Sequence, residues 1–183
     1  MADQSGAAGL DQTANLLGAL SLMIADRMAD AMGEAGGRPE SAAAAMSALW
    51  HFLDRPSVDL LRQVLGLTSS GTVRLVDKMA QAGYVERGPG ADGRSTSVAL
   101  TRAGRATAER VGAARGEVLH GALAGLTAEE RATLGAIMGK VLVGLMREPG
   151  AVRWMCRLCD IGVCRGAAGG CPVGNAARER YLS

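Results

Sequence analysis

The residues best equipped for chemistry are the four cysteines, Cys156, Cys159, Cys164 and Cys171, spaced C-x2-C-x4-C-x6-C and followed directly by Pro172. Four thiols in so short a window can converge on one centre, and the run Gly166–Gly170 lets the chain fold back around it. Four thiolates carry a large negative charge that a metal must offset, with Arg153, Arg157 and Arg165 at hand to help. Three readings stay open. Closely spaced thiols ending in Cys-Pro, a pairing also found in bacterial ferredoxins, suggest an iron–sulfur cluster, placed slightly ahead. The tetrad also suits zinc, although zinc sites more often use two well-separated Cys-x-x-Cys knuckles. A metal-free thiol switch is the third, with Cys156 and Cys159 forming a local disulfide.

A second set of residues carries recognition chemistry. Thr68 stands immediately before a helical pattern and can cap it with its hydroxyl. Val73, Leu75, Val76 and Met79 are expected to face a core, leaving Ser69, Ser70, Thr72, Arg74, Asp77 and Lys78 on the surface. A short helix offering hydroxyls, Arg74 and Lys78 suits the major groove of double-stranded DNA, since its N-terminal end meets phosphates and Arg reads guanine edges. Gly83 ends that helix. Tyr84–Arg87 and Ser95–Leu100 then alternate as strands around the turn-forming Gly88–Arg94, so Arg87 and Arg94 decorate a hairpin. DNA-contacting residues are therefore expected at Thr68, Ser69, Ser70, Thr72, Arg74, Lys78, Arg87 and Arg94.

The elements that must position these groups are mostly helical. Leu16, Leu17, Leu20, Met23, Ile24, Met28 and Met32 form a stripe over 11–32, with residues 1–10 expected to be loose. Gly33–Pro39 breaks the chain, and a helix over 40–53 carries Met46, Leu49, Trp50 and Leu53 on one side. Ser57 caps a short helix bearing Leu60, Leu61 and Val64, and Gly66 supplies the turn before Thr68. A long helix follows from Thr101 to about Leu123. Leu126-Thr127-Ala128-Glu129-Glu130 reads as a capping box opening a last apolar helix with Ile137, Met138, Val141, Leu142 and Leu145, the natural partner of the first.

The run AGYVERGPGADGRSTSVALTRAGR resembles the winged-helix core of the MarR transcription regulators. Their DxRxxxLxLTxxG wing signature is matched by Asp92, Arg94, Leu100, Thr101 and Gly104, with Val98 in place of the first Leu. The preceding LTSSGTVRLVDKMAQAGYVER resembles that family's recognition helix and first wing strand. The resemblance implies a mostly α fold with a small β-hairpin wing: a winged helix-turn-helix over 40–100 and a helical dimerisation region formed by 11–33 and 101–148. It implies an intertwined homodimer, a repressor of transcription, reading two DNA half-sites. Residues 150–183 depart from the family, most of whose members end near the last dimerisation helix. The resemblance also places a site for small aromatic acids or phenols between the dimerisation helices and the winged domain, near Trp50 and His51. The residues alone favour a plainer account, with Trp50 a core anchor and His51 a partly exposed neighbour.

Composition sets bounds on these readings. The 183 residues are 48% hydrophobic but only 3% aromatic, so the core rests on Leu, Val, Met and Ala. Twenty basic against 18 acidic residues give a net charge of +2, so any phosphate-binding face must be local. No secretory signal or bilayer-spanning run is visible, and a cytoplasmic location with reduced thiols is the default. Two other function classes compete: a redox or metal enzyme borrowing a winged helix, and a protein–protein adaptor with a structural zinc tail. Against the enzyme stand the absence of a Ser/His/Asp arrangement or phosphate loop and the wide separation of His51 and His120.

Overall fold

The computed structural model describes residues 5–90, 95–148, 150–166 and 170–181. The chain is mostly α-helical, with one two-stranded antiparallel hairpin. Helix α1 spans Ser5–Met32, so the helix reaches into the segment expected to be loose. A π-helical turn, Gly33–Gly37, leads into α2, Glu40–His51. This turn is tight because a Cβ at Gly37 would stand 2.9 Å from both Ala43 Cβ and the Met32 carbonyl oxygen. Ala42, Ala43, Ala44, Ala45, Met46 and Ala48 of α2 are all buried. The small alanines let neighbouring helices approach closely, and Met46 fills the space between them.

Helices α3, Val58–Leu65, and α4, Ser69–Gln81, form the helix-turn-helix. Ser57 Oγ accepts from Leu60 N (3.1 Å) to start α3, and Gly66 ends it in the left-handed region at φ 65°. Thr68 Oγ1 accepts from Gly71 N (3.1 Å) to start α4. Gly83, at φ 74°, ends α4, with its N–H donating to Ala80 O and that of Tyr84 to Met79 O.

The wing consists of β1, Val85–Pro89, and β2, Thr96–Leu100, paired from Val85↔Leu100 to Pro89↔Thr96. Val98 N also donates to Pro56 O (2.9 Å), tying the wing base to the loop before α3. Helix α5 spans Arg102–Leu123. Thr101 serves both sides of its start: Oγ1 donates to Gly83 O (2.6 Å) and accepts from Gly104 N (3.0 Å).

Helix α6, Ala128–Leu145, opens with the expected capping box between Thr127 and Glu130. Those hydrogen bonds hold the Glu130 carboxyl below its ordinary range. Within one chain α1 lies along α5, and α6 packs against a tail helix. Three short helices complete the chain: α7, Ala151–Met155; α8, Ile161–Gly166; and α9, Pro172–Tyr181. The core sits in the helix-turn-helix unit, where Met32, Met46, Leu61, Val64, Val76 and Val98 are buried. The stripe of α1 over Leu16, Leu17, Leu20 and Met23 and that of α6, by contrast, face outward, while Met28 and Met32 at the end of α1 turn to the core. Among the described residues no helix is long and apolar enough to cross a membrane.

Candidate functional site

Helix α4 presents Thr68, Ser69, Ser70, Arg74 and Lys78 to solvent. Its inner face differs by one position from expectation. Thr72 is fully buried, while Val73 is 44% exposed. Burial follows the i, i+3, i+4, i+7 positions Thr72, Leu75, Val76 and Met79. Thr72 tolerates the interior because its hydroxyl donates to Thr68 O (3.0 Å), leaving its methyl to pack. Thr72 is therefore a support of the helix, and Val73 takes its place on the open face.

The wing is braced against this helix. Arg87 Nη2 lies 2.7 Å from Asp77 Oδ1 of α4, so Arg87 is engaged in an ion pair that fixes the hairpin beside the exposed face. Sequence patterning gave no sign of this pairing, because the partners belong to different elements. Arg94, with Asp92, lies outside the described residues. On α3, Arg62 donates to Asp59 Oδ1 (2.8 Å), which together with Gln63 lowers the Asp59 pKa. That contact turns Arg62 along its own helix.

A cleft of about 310 Å³ opens between α2, α5 and the tail, lined among others by Trp50, His51, Val111, Arg115, Leu158 and Asp160. Trp50 is 39% exposed, so it forms cleft wall and not the core anchor expected of it. His51 Nδ1 stands 3.6 Å from Asp160 Oδ1, ion-pair range but too long for a hydrogen bond. Arg115 Nε is buried and has no hydrogen-bond partner among the described residues. Sequence reasoning missed Arg115, since an arginine in a polar helix is usually solvated.

All four cysteines are free and half-buried. They share one neighbourhood of the tail, with Cys156 beside Cys159 and Cys164 beside Cys171, close enough for each thiol to shift its neighbour's protonation. The proton stays on Cys156, whose pKa is pushed up by its partner and by burial. Cys159 is brought down to about 6, chiefly by the Cys156 hydrogen bond and further by the Arg115 guanidinium. Burial and the nearby Cys171 raise Cys164. The pairs also influence one another electrostatically. Among the described residues no group of three or more His, Cys, Asp or Glu side chains is arranged to hold a metal ion.

Neither a family model nor any curated protein matches the sequence. Solved structures do match in fold. A MarR family protein from Bacillus stearothermophilus aligns with a TM-score of 0.64 at 22% identity, over 77% of this chain and 96% of its own. The fold is that of the MarR regulators. A probable transcriptional regulator from Pseudomonas aeruginosa aligns at 26% identity with a TM-score of 0.57, over 72% of this chain and 97% of its own. CouR from Rhodococcus jostii RHA1, solved with p-coumaroyl-CoA bound, gives 0.56 at 19% identity, over 73% of this chain and 93% of its own. This MarR-type winged helix accounts for the order of helix-turn-helix, braced hairpin and long flanking helices.

Proposed function

We propose that the protein is a MarR-type transcription regulator that binds double-stranded operator DNA as a homodimer and represses the genes it controls from the cytoplasm. The observation that carries this reading is the open face of α4, with Ser69, Ser70, Arg74 and Lys78 exposed beside a wing held to the same helix by Arg87 and Asp77. Hydroxyls and the α4 N-terminus position the helix on phosphates, Lys78 adds charge, and Arg74 is the base-reading side chain. Dimerisation is supported by large apolar side chains left in solvent: Leu16, Leu17, Leu20, Leu22 and Met23 on α1, and Ile137, Met138, Val141, Leu142 and Leu145 on α6. Rows of large apolar side chains left in solvent along two helices mark association faces. A second copy presenting the same stripes covers it by two-fold symmetry.

A small-molecule effector is supported by the cleft at Trp50 and His51, which lies between the reading unit and the long helices. A ligand filling it would bias the position of one against the other.

The test is selection of bound fragments from genomic DNA, followed by affinity measurements on the recovered duplex over a range of salt. Affinity is expected to fall steeply with salt. Arg74→Ala should cost about 1–3 kcal/mol at the selected site, whereas Thr72→Val, altering only a buried side chain, should leave the base preference unchanged. Duplex binding without sequence preference or salt dependence would favour the adaptor reading.

A further inference from the structure

In the reading unit, residues 40–100, only two large apolar side chains among the described residues stand exposed, Trp50 and Val73. Trp50 forms a cleft wall. Val73 has no such place: it lies on the open face of α4, directly before Arg74. Its exposure is fixed by its neighbours. Thr72 holds the inner position, its hydroxyl tied to Thr68 O (3.0 Å), and Leu75, Val76 and Met79 are buried on the same inner face. Turning Val73 inward would rotate that whole face out of the core.

Two rows at helical i, i+4 spacing run along the open face. One is Ser70, Arg74 and Lys78, all exposed, a hydroxyl followed by two cations. The other is Ser69, Val73 and Asp77. The end of this second row is taken by the wing, since Asp77 Oδ1 lies 2.7 Å from Arg87 Nη2. The ion pair offsets a carboxylate that would otherwise repel phosphate, and it leaves Ser69 and Val73 as the groups this row presents. The first row is electrostatic, whereas the second has an apolar centre.

A valine has two methyl groups and nothing to donate or accept. In the major groove the only apolar group on a base edge is the 5-methyl of thymine; the other groups there are hydrogen-bond donors and acceptors. Covering one of those with valine would strip its water and supply no hydrogen bond in return. Consecutive Cα atoms are about 3.8 Å apart, close to the roughly 3.4 Å rise between stacked base pairs. A thymine met by Val73 therefore lies beside, or one step from, the guanine met by Arg74.

We propose that Val73 is a specificity-determining residue that reads the 5-methyl group of a thymine in the operator, next to the guanine taken by Arg74. This deepens the regulator reading and rests on it. The partner is a duplex in which each half-site places a thymine next to that guanine.

The experiment uses the full-length chain to select its duplex from a random-sequence pool. Each thymine of the recovered half-site is then replaced in turn by deoxyuridine, which removes the methyl group and keeps both the O4 acceptor and base pairing. One thymine per half-site, next to the guanine whose replacement Arg74→Ala no longer senses, should lose about fourfold in affinity, the effect of one buried methyl. Replacement in both half-sites should reach about 15-fold. In Val73→Ala the same replacement should change affinity by less than about twofold. Alanine is the better helix former and the site is exposed, so this variant should fold, as circular dichroism would verify. Lys78→Ala should weaken binding to both duplexes and preserve the ratio of about fourfold, because a phosphate contact does not sense the methyl. The deoxyuridine series on the wild type stands without any variant. Absence of a methyl-sensitive thymine at that place, or a methyl dependence undiminished in Val73→Ala, overturns the role of Val73 and leaves the regulator standing. A folded chain that retains no duplex even at low salt sinks the regulator reading itself, and the role of Val73 with it.

Discussion

Gly104→Ala is the substitution for which the structure permits the clearest arithmetic. Gly104 lies in the first turn of α5, where alanine would ordinarily gain up to about 1 kcal/mol in helix propensity. A Cβ there would, however, stand far inside van der Waals contact with the Tyr84 carbonyl oxygen, 2.8 Å from the carbonyl carbon and 3.1 Å from Leu100 Cδ2. The obstacle is backbone, so no rotamer relieves it. That carbonyl also accepts from Thr101 N (3.0 Å), and Thr101 Oγ1 bonds Gly83 O beside it. Moving the carbonyl aside costs about 1–3 kcal/mol for overpacking and about 1 kcal/mol for the disturbed hydrogen bond. The clash exceeds the propensity gain, and a net loss of about 1–3 kcal/mol is expected. Urea unfolding of the wild type and variant, with matched slopes, measures it. Stability equal to or above wild type would show that the α5–wing junction is not packed as described. The same shift displaces the strand carrying Arg87, so operator affinity should fall with stability.

Two further outcomes follow. Leu20→Glu or Leu142→Arg places a charge on the exposed apolar stripe through which each helix meets a second copy in the proposed dimer. Losing about 1.5 kcal/mol or more of burial on each of two symmetric subunits should weaken the dimer by about 100-fold or more, seen by light scattering across a dilution series; a dimer unmoved by both charges would place the interface elsewhere. In the reduced protein Cys159, at about 6, is mostly thiolate at neutral pH, while Cys156 is held protonated. A lowered pKa alone would add stability above the ordinary value of 9.0 and lose it as pH falls through about 6, but the opposite shift of Cys156 offsets that. Alkylation rate is therefore the readout: Cys159 should react first, its rate rising through about pH 6 and flattening by neutrality. A rise delayed to pH 8–9, as in an ordinary thiol, would contradict the pairing.

The winged helix was legible because its markers are local. Ser57, Thr68, Thr101 and Thr127 each stand one residue before a helix, and each caps it. Gly66 and Gly83 are the left-handed stops that their positions imply. What escaped the sequence depends on partners far along the chain. Whether Thr72 or Val73 faces inward is one step of about 100° around α4, and periodicity alone does not resolve it when both are β-branched and similar in volume. Arg87 reads as a free wing cation until Asp77 comes alongside. Trp50 reads as core because a large aromatic usually is, yet α2 buries its alanine face and turns the indole to the cleft.

The distribution of apolar surface bears on how such a molecule responds. The reading unit buries its own core and needs no second copy to hold α4 and the wing together. On the proposed homodimer a second copy covers the stripes of α1 and α6, so the separation of two reading units depends on how each is joined to the long helices. Those joints are few: the small-residue turn Gly33–Gly37, the packing of α2 and the wing base on α5, and the tail running from Trp154 to α9. The first two form continuous packed structure. The tail reaches the reading unit through α7 on α3, with Trp154 over Gly66, through Leu158 on the core and through a loose His51–Asp160 pair, and it carries all four thiols. These contacts are made by short helices at the surface, and a bond closing two thiols would add a covalent constraint to them. Substituting Trp154 should therefore cost little stability while changing how the tail reports to α4, the combination expected of a coupling element rather than a core one.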